Sequence, residues 1–199
     1  GSSGSITLET GAAGKGTAGS VSVVIGGGDA GAGGRITINA GSSTATSSGT
    51  GGMISLMTGA GTTTSSGGFS VRTAIAGTNG VSGALSFRTG GATEGSSGAV
   101  AVKTGAATSG TAGSISLVIG SGAAGSGGRV VVNAGESTAH TGGSVSVISG
   151  LGSATSSGVF SIKTADAGAN GVSGALHFNS GTTSKGSSGC LLYTSPSPR

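Results

Sequence analysis

The residues of this chain that could do chemistry are few and scattered. Gly14, Gly16 and Gly19 fall at G-x-G-x-x-G spacing, as do Gly120, Gly122 and Gly125, the pattern that lets a pyrophosphate approach a helix N-terminus. An aliphatic alternation follows each of them where a helix would have to begin, so with 47 glycines in the chain both matches are read as chance. Asp29 stands in a glycine-rich turn of the kind that ligates calcium, but calcium needs several carboxylates from neighbouring turns, and the equivalent residue later in the chain is Ala123. His140 and His177 have no Cys or carboxylate at metal-ligand spacing. Serines abound, but a serine nucleophile needs a base and an orienting acid beside it. The expectation is no catalysis, no metal and no cofactor.

The elements that would have to position any site are repeats. An apolar residue opens a short alternating run at Ile6, Val21, Ile36, Ile54, Phe69, Leu85, Val100, Ile115, Val130, Val145, Phe160 and Leu176, a step of 15 or 16 residues with one step of 18. A fixed period is the mark of a stacked architecture. Within each run apolar residues alternate with small polar ones, as in Val21-Ser22-Val23 and Ile36-Thr37-Ile38, which is strand periodicity. A glycine such as Gly11, Gly26, Gly105 or Gly120 closes most runs and suits a corner of positive φ. The intervening residues are small enough to lie beneath the aliphatic side chains. Glycine and β-branched residues fill every window and no 3.6-residue stripe appears, so helices are not expected.

The pattern therefore predicts an all-β fold, a single-chain parallel β-solenoid (β-helix or β-roll) of about twelve coils of 15–16 residues. A coil made of one repeat or of two adjacent repeats fits equally. A longer period overlies the shorter: residues 1–41 match 95–135, and 79–85 match 170–176. The expected organisation is a first six-coil block over 1–94 and a second, continuous with it, over 95–189. Residues 190–199 break the pattern and resemble translated sequencing adapter, so they are expected to be a non-native tail.

Stacked coils would align Arg72, Arg88 and Lys103 from three consecutive runs, about one strand spacing apart. Like charges in a ladder repel unless an anion bridges them, which makes these three a candidate contact for a polyanion such as acidic polysaccharide or another cell-surface polymer. Val24, Met57, Val118 and Ile148 take the same position elsewhere and suggest lateral self-association. A flat hydroxyl-bearing wall, with Thr62, Thr63, Thr64, Thr182 and Thr183 on it, raises ice as an alternative partner.

Composition bounds the rest. Charged residues are 7% and aromatics 3%, a balance that alone would fit a disordered tract, but the registered aliphatic pairs argue for order. Nine Lys and Arg against five Asp and Glu give a net charge of +4 without any basic block, so nucleic acid is not an expected partner. Cys190, the single cysteine, precludes an internal disulfide framework. No secretion signal, targeting motif or transmembrane run is visible in the sequence.

Ser114-Ile115-Ser116-Leu117-Val118-Ile119-Gly120, followed by Ala123-Ala124-Gly125, is similar to the β-roll heads of trimeric autotransporter adhesins. The chain also resembles the Gly/Ser/Thr-rich solenoid repeats of secreted or cell-surface proteins of microalgae and protists. Both resemblances imply a secreted or cell-surface location and a structural or adhesive role. The expected function is a rigid spacer or surface-contact module of a larger extracellular protein, the alternative being an ice-binding solenoid.

Overall fold

A computed structural model describes residues 3–45 and 49–195. Gly1, Ser2, residues 46–48 and Pro196 to Arg199 lie outside the described residues. The chain divides into two units, Gly1–Val102 and Lys103–Arg199.

The described residues contain no helix and no β-strand, so the expected β-solenoid is overturned, and the β-helix with it. The aliphatic positions meant for its interior face solvent: Val21 is 54% exposed, Ile36 52% and Val100 60%. No side chain is buried among the described residues, and only Thr58, Ala76, Gly152 and Thr164 reach partial burial. The physical reason lies in where the backbone bonds go. A solenoid needs the N–H and C=O groups of one coil to pair with the next coil, whereas the backbone bonds of the described residues close single repeats on themselves.

Most repeats bend once and return beside their own start. Bends occur at residues 14–16, 29–31, 62–64, 93–95, 108–110, 123–125, 138–140, 153–155 and 184–186, and tight turns at 78–79 and 169–170. The sequence period therefore survives as a bend period. Three kinds of loop follow from what stands at the bend.

In the first kind a glycine ends the bend with positive φ, as Gly31 (φ 90°), Gly95 (113°), Gly110 (135°), Gly125 (95°) and Gly186 (129°) do. L side chains rarely adopt that conformation. The glycines expected to hold positive φ, such as Gly26 and Gly120 at the ends of the runs, do not, so the sharp change of direction falls in mid-loop. In the second kind the bend ends in Thr64, His140 or Thr155, and a backbone bond between glycines closes the loop: Gly67 donates to Gly59 at 3.0 Å, Gly143 to Gly135 at 2.9 Å and Gly158 to Gly150 at 2.9 Å. Gly52 donates likewise to Gly41 at 2.7 Å. The third kind is a four-residue turn, with Gly80 donating to Gly77 at 3.0 Å and Gly171 to Gly168 at 3.1 Å.

The kinds occur in one order within 14–95 and in the same order again within 108–186. Two bend loops, two glycine-closed loops, a tight turn and a further bend loop succeed one another in each unit. Local structure thus follows the 94- and 91-residue offsets between matching segments.

A second glycine sets the return. Gly19, Gly34, Gly52, Gly67, Gly83, Gly98, Gly113, Gly128, Gly143, Gly158, Gly174 and Gly189 each stand two residues before an apolar residue. Nine or ten residues earlier in most repeats lies the residue that a side chain here would meet, in ordinary contact at some glycines and too closely at others. A Cβ on Gly19 would come within 3.2 Å of the Thr10 Cβ, and one on Gly113 within 3.3 Å of the Thr104 Cγ2. A Cβ on Gly34 would run into the Ile25 Cγ2. The Thr10 hydroxyl donates to the Gly19 carbonyl at 3.3 Å, pinning one such approach.

Candidate functional site

Arg72, Arg88 and Lys103 are all exposed. Arg72 and Arg88 belong to the first unit, and Lys103 is the first residue of the second. With no strand pairing among the described residues, no ladder of coils holds the three in line. What they share is local. Each precedes a threonine whose methyl group would meet a Cβ on the returning glycine: Thr73 and Gly83 at 3.6 Å, Thr89 and Gly98 at 3.5 Å, Thr104 and Gly113 at 3.3 Å.

Lys163 has the same setting, next to Thr164 and opposite Gly174 at 3.5 Å, and it too is exposed. Sequence reasoning passed over it because attention to consecutive runs stops at Lys103. The 91-residue offset from Arg72 to Lys163 would have found it. The cations that match in local structure are therefore four, two from each unit.

Around Arg72 the chain forms a shallow hollow lined by Arg72, Thr73, Ala74 and Ile75. Its open, mostly aliphatic wall offers a guanidinium and a hydroxyl, enough to meet an anionic group at the surface but not to enclose a small molecule. A second hollow lies among Phe178, Asn179, Ser180, Cys190 and Leu191. Cys190 is an exposed free thiol.

The remaining candidates stay apart. His140 ends the bend 138–140, where its backbone N–H, not its ring, is engaged by the Ser137 hydroxyl at 3.0 Å. His177 and Asp29 are exposed, Asp29 at the start of the bend 29–31. Among the described residues no three His, Cys, Asp or Glu side chains gather as metal ligands. Gly14 and Gly16 of the first G-x-G-x-x-G bound a bend, and Gly125 of the second ends one, with no helix after either. Thr62, Thr63 and Thr64 form a bend, while Thr182 and Thr183 precede another. No strand face among the described residues collects these hydroxyls into a flat array. No helix of the described residues is long and apolar enough to cross a membrane.

Compared with protein-family models, curated proteins and solved structures, the chain matches none.

Proposed function

We propose that this chain is a structural or adhesive segment of a larger secreted or cell-surface protein, a repetitive spacer whose side chains meet an external surface. One observation carries the reading. Twelve runs of like register expose their aliphatic side chains, and among the described residues no three His, Cys, Asp or Glu side chains gather at one place. Repetition of a weak surface contact raises overall attachment without any single strong site. The rigidity of stacked coils is not part of this reading, because no strand pairs coil with coil among the described residues.

Antibodies against the repeats provide the test. Intact, unpermeabilised cells of the source should be labelled, and external protease should remove the label. Labelling that needs permeabilisation would overturn the extracellular assignment.

A further inference from the structure

The chain exposes 19,704 Å², against roughly 8,000 Å² for a compact monomer of its mass. The difference is several times the area that a stable protein interface buries, about 1,200–2,000 Å². Large apolar side chains are exposed in run after run, and charge is distributed unevenly among the runs. Seven of the twelve runs carry a charge, at Glu9, Arg35, Arg72, Arg88, Lys103, Arg129 or Lys163. Charged side chains on or beside a strand-like segment are the usual guard against edge-to-edge pairing.

Of the five runs that lack that guard, two hold the most aliphatic side chains. Residues 20–25 read Ser-Val-Ser-Val-Val-Ile and 114–119 read Ser-Ile-Ser-Leu-Val-Ile. Both are six residues of high β-propensity, without charge, proline or glycine, the composition that pairs with copies of itself. In both, every aliphatic side chain is exposed, up to 80% at Val24 and at Val118. Neither run is part of a strand. They are equivalent segments 94 residues apart, one in each unit.

We infer that residues 20–25 and 114–119 form a self-association surface whose partner is a second copy of this chain, bound by in-register backbone pairing of these runs. Matching partners are guaranteed, because every copy carries both runs and the two are nearly the same sequence. Two docking runs per chain make the assembly propagate beyond a dimer. On this reading Arg72, Arg88, Lys103 and Lys163 keep their own runs from joining. The inference goes beyond the structural role above and does not depend on an extracellular location.

Sedimentation velocity of the full chain, with reductant holding Cys190 as a thiol, tests it across micromolar to millimolar concentration. The wild type should assemble as concentration rises, and the assemblies should give a strand reflection at about 4.7 Å. Val23→Lys combined with Leu117→Lys should raise the assembly concentration roughly tenfold or more. Thr63→Lys with Thr155→Lys adds the same two charges on bends and should leave assembly as in the wild type. A chain that stays monomeric throughout overturns the inference, as does equal inhibition by both Lys pairs. So does a strand signal that does not change with concentration, which would place the pairing within one chain. Cell-surface labelling is read separately, so failure here leaves the proposed location standing.

Discussion

Gly143 donates its backbone N–H to the carbonyl of Gly135 at 2.9 Å, and a Cβ on Gly143 would stand 3.1 Å from the Gly135 nitrogen and 3.3 Å from the Ala134 Cβ. The bond exists because neither residue brings a side chain to the approach. Gly143→Ala should therefore open the loop. An exposed backbone bond contributes about 0.5–1.5 kcal/mol net, so amide exchange at residue 143 should quicken by up to roughly tenfold. Gly142→Ala, whose Cβ would be an ordinary 3.6 Å from the Gly135 carbonyl oxygen, should leave that exchange unchanged. Hydrogen exchange followed residue by residue by NMR reads both.

Without a buried side chain among the described residues, the monomer has little to lose all at once. A fully extended chain of this mass would expose about 26,000 Å², not far above the 19,704 Å² observed. Calorimetry of the dilute chain should show no sharp transition and a heat-capacity step well below the ~12–15 cal/mol/K per residue of a cored domain. Val21→Ala and Ile36→Ala should each alter stability by under about 0.5 kcal/mol, where a core aliphatic truncation costs about 2–5. A cooperative melt shifted by either substitution would contradict the exposure of these residues.

The repeat itself was legible in the sequence. The period that spaces Ile6, Val21 and Ile36 also spaces the bends, and the matching of 1–41 with 95–135 reappears as a matching order of loop kinds. What the alternation of Val21, Ser22 and Val23 could not reveal is whether another coil covers the apolar face. Period two reports that a face is apolar and stays silent on its partner. The facing wall of Ala, Ser, Thr and Gly offered that partner little area to bury, while each ordered glycine loses more conformational freedom than any other residue. Corner glycines misled for a related reason. Gly26 and Gly120 attract attention by position, but the residues that need positive φ are Gly31 and Gly125, five further on. The cation set was legible only in part, since Lys163 is found by block offset and not by adjacency.

Gly125 gives a test of that turn chemistry. Its φ is 95°, and nothing lies within 4 Å of a Cβ built there. Any penalty for Gly125→Ala is then conformational alone, about 1–2 kcal/mol for a left-handed L-residue. The bend at 123–125 should shift, changing backbone couplings and chemical shifts at its neighbours. Gly122→Ala, equally open and without positive φ, should leave them as they are.

Ice recognition would require hydroxyls held at regular spacing on a flat face. Thr63 sits in a bend and Thr183 precedes a different one, with no strand among the described residues to align them. Nanolitre osmometry should find no thermal hysteresis and no faceting of ice crystals in the presence of the chain. Hysteresis removed by Thr63→Val with Thr183→Val would show that these hydroxyls act together after all.

The four cations that share a threonine-and-glycine setting should act as a set on a polyanion, although no strand among the described residues aligns them. Each of Arg72, Arg88, Lys103 and Lys163 is exposed, so each contact is screened. Attraction to an acidic polysaccharide should fade between 0.1 M and 1 M salt, as the Debye length falls from about 10 Å to about 3 Å. Replacing all four by Gln should abolish retention on an immobilised sulfated polysaccharide. Replacing Lys15, Arg35, Arg129 and Lys185 by Gln removes the same charge from other places and separates position from net charge. If the two quadruple variants elute together, the chain's overall +4 attracts the polymer and no particular residue does. Should the first variant alone lose retention, the shared local setting is what the polymer reads, because the two variants differ in nothing else that long-range charge can sense.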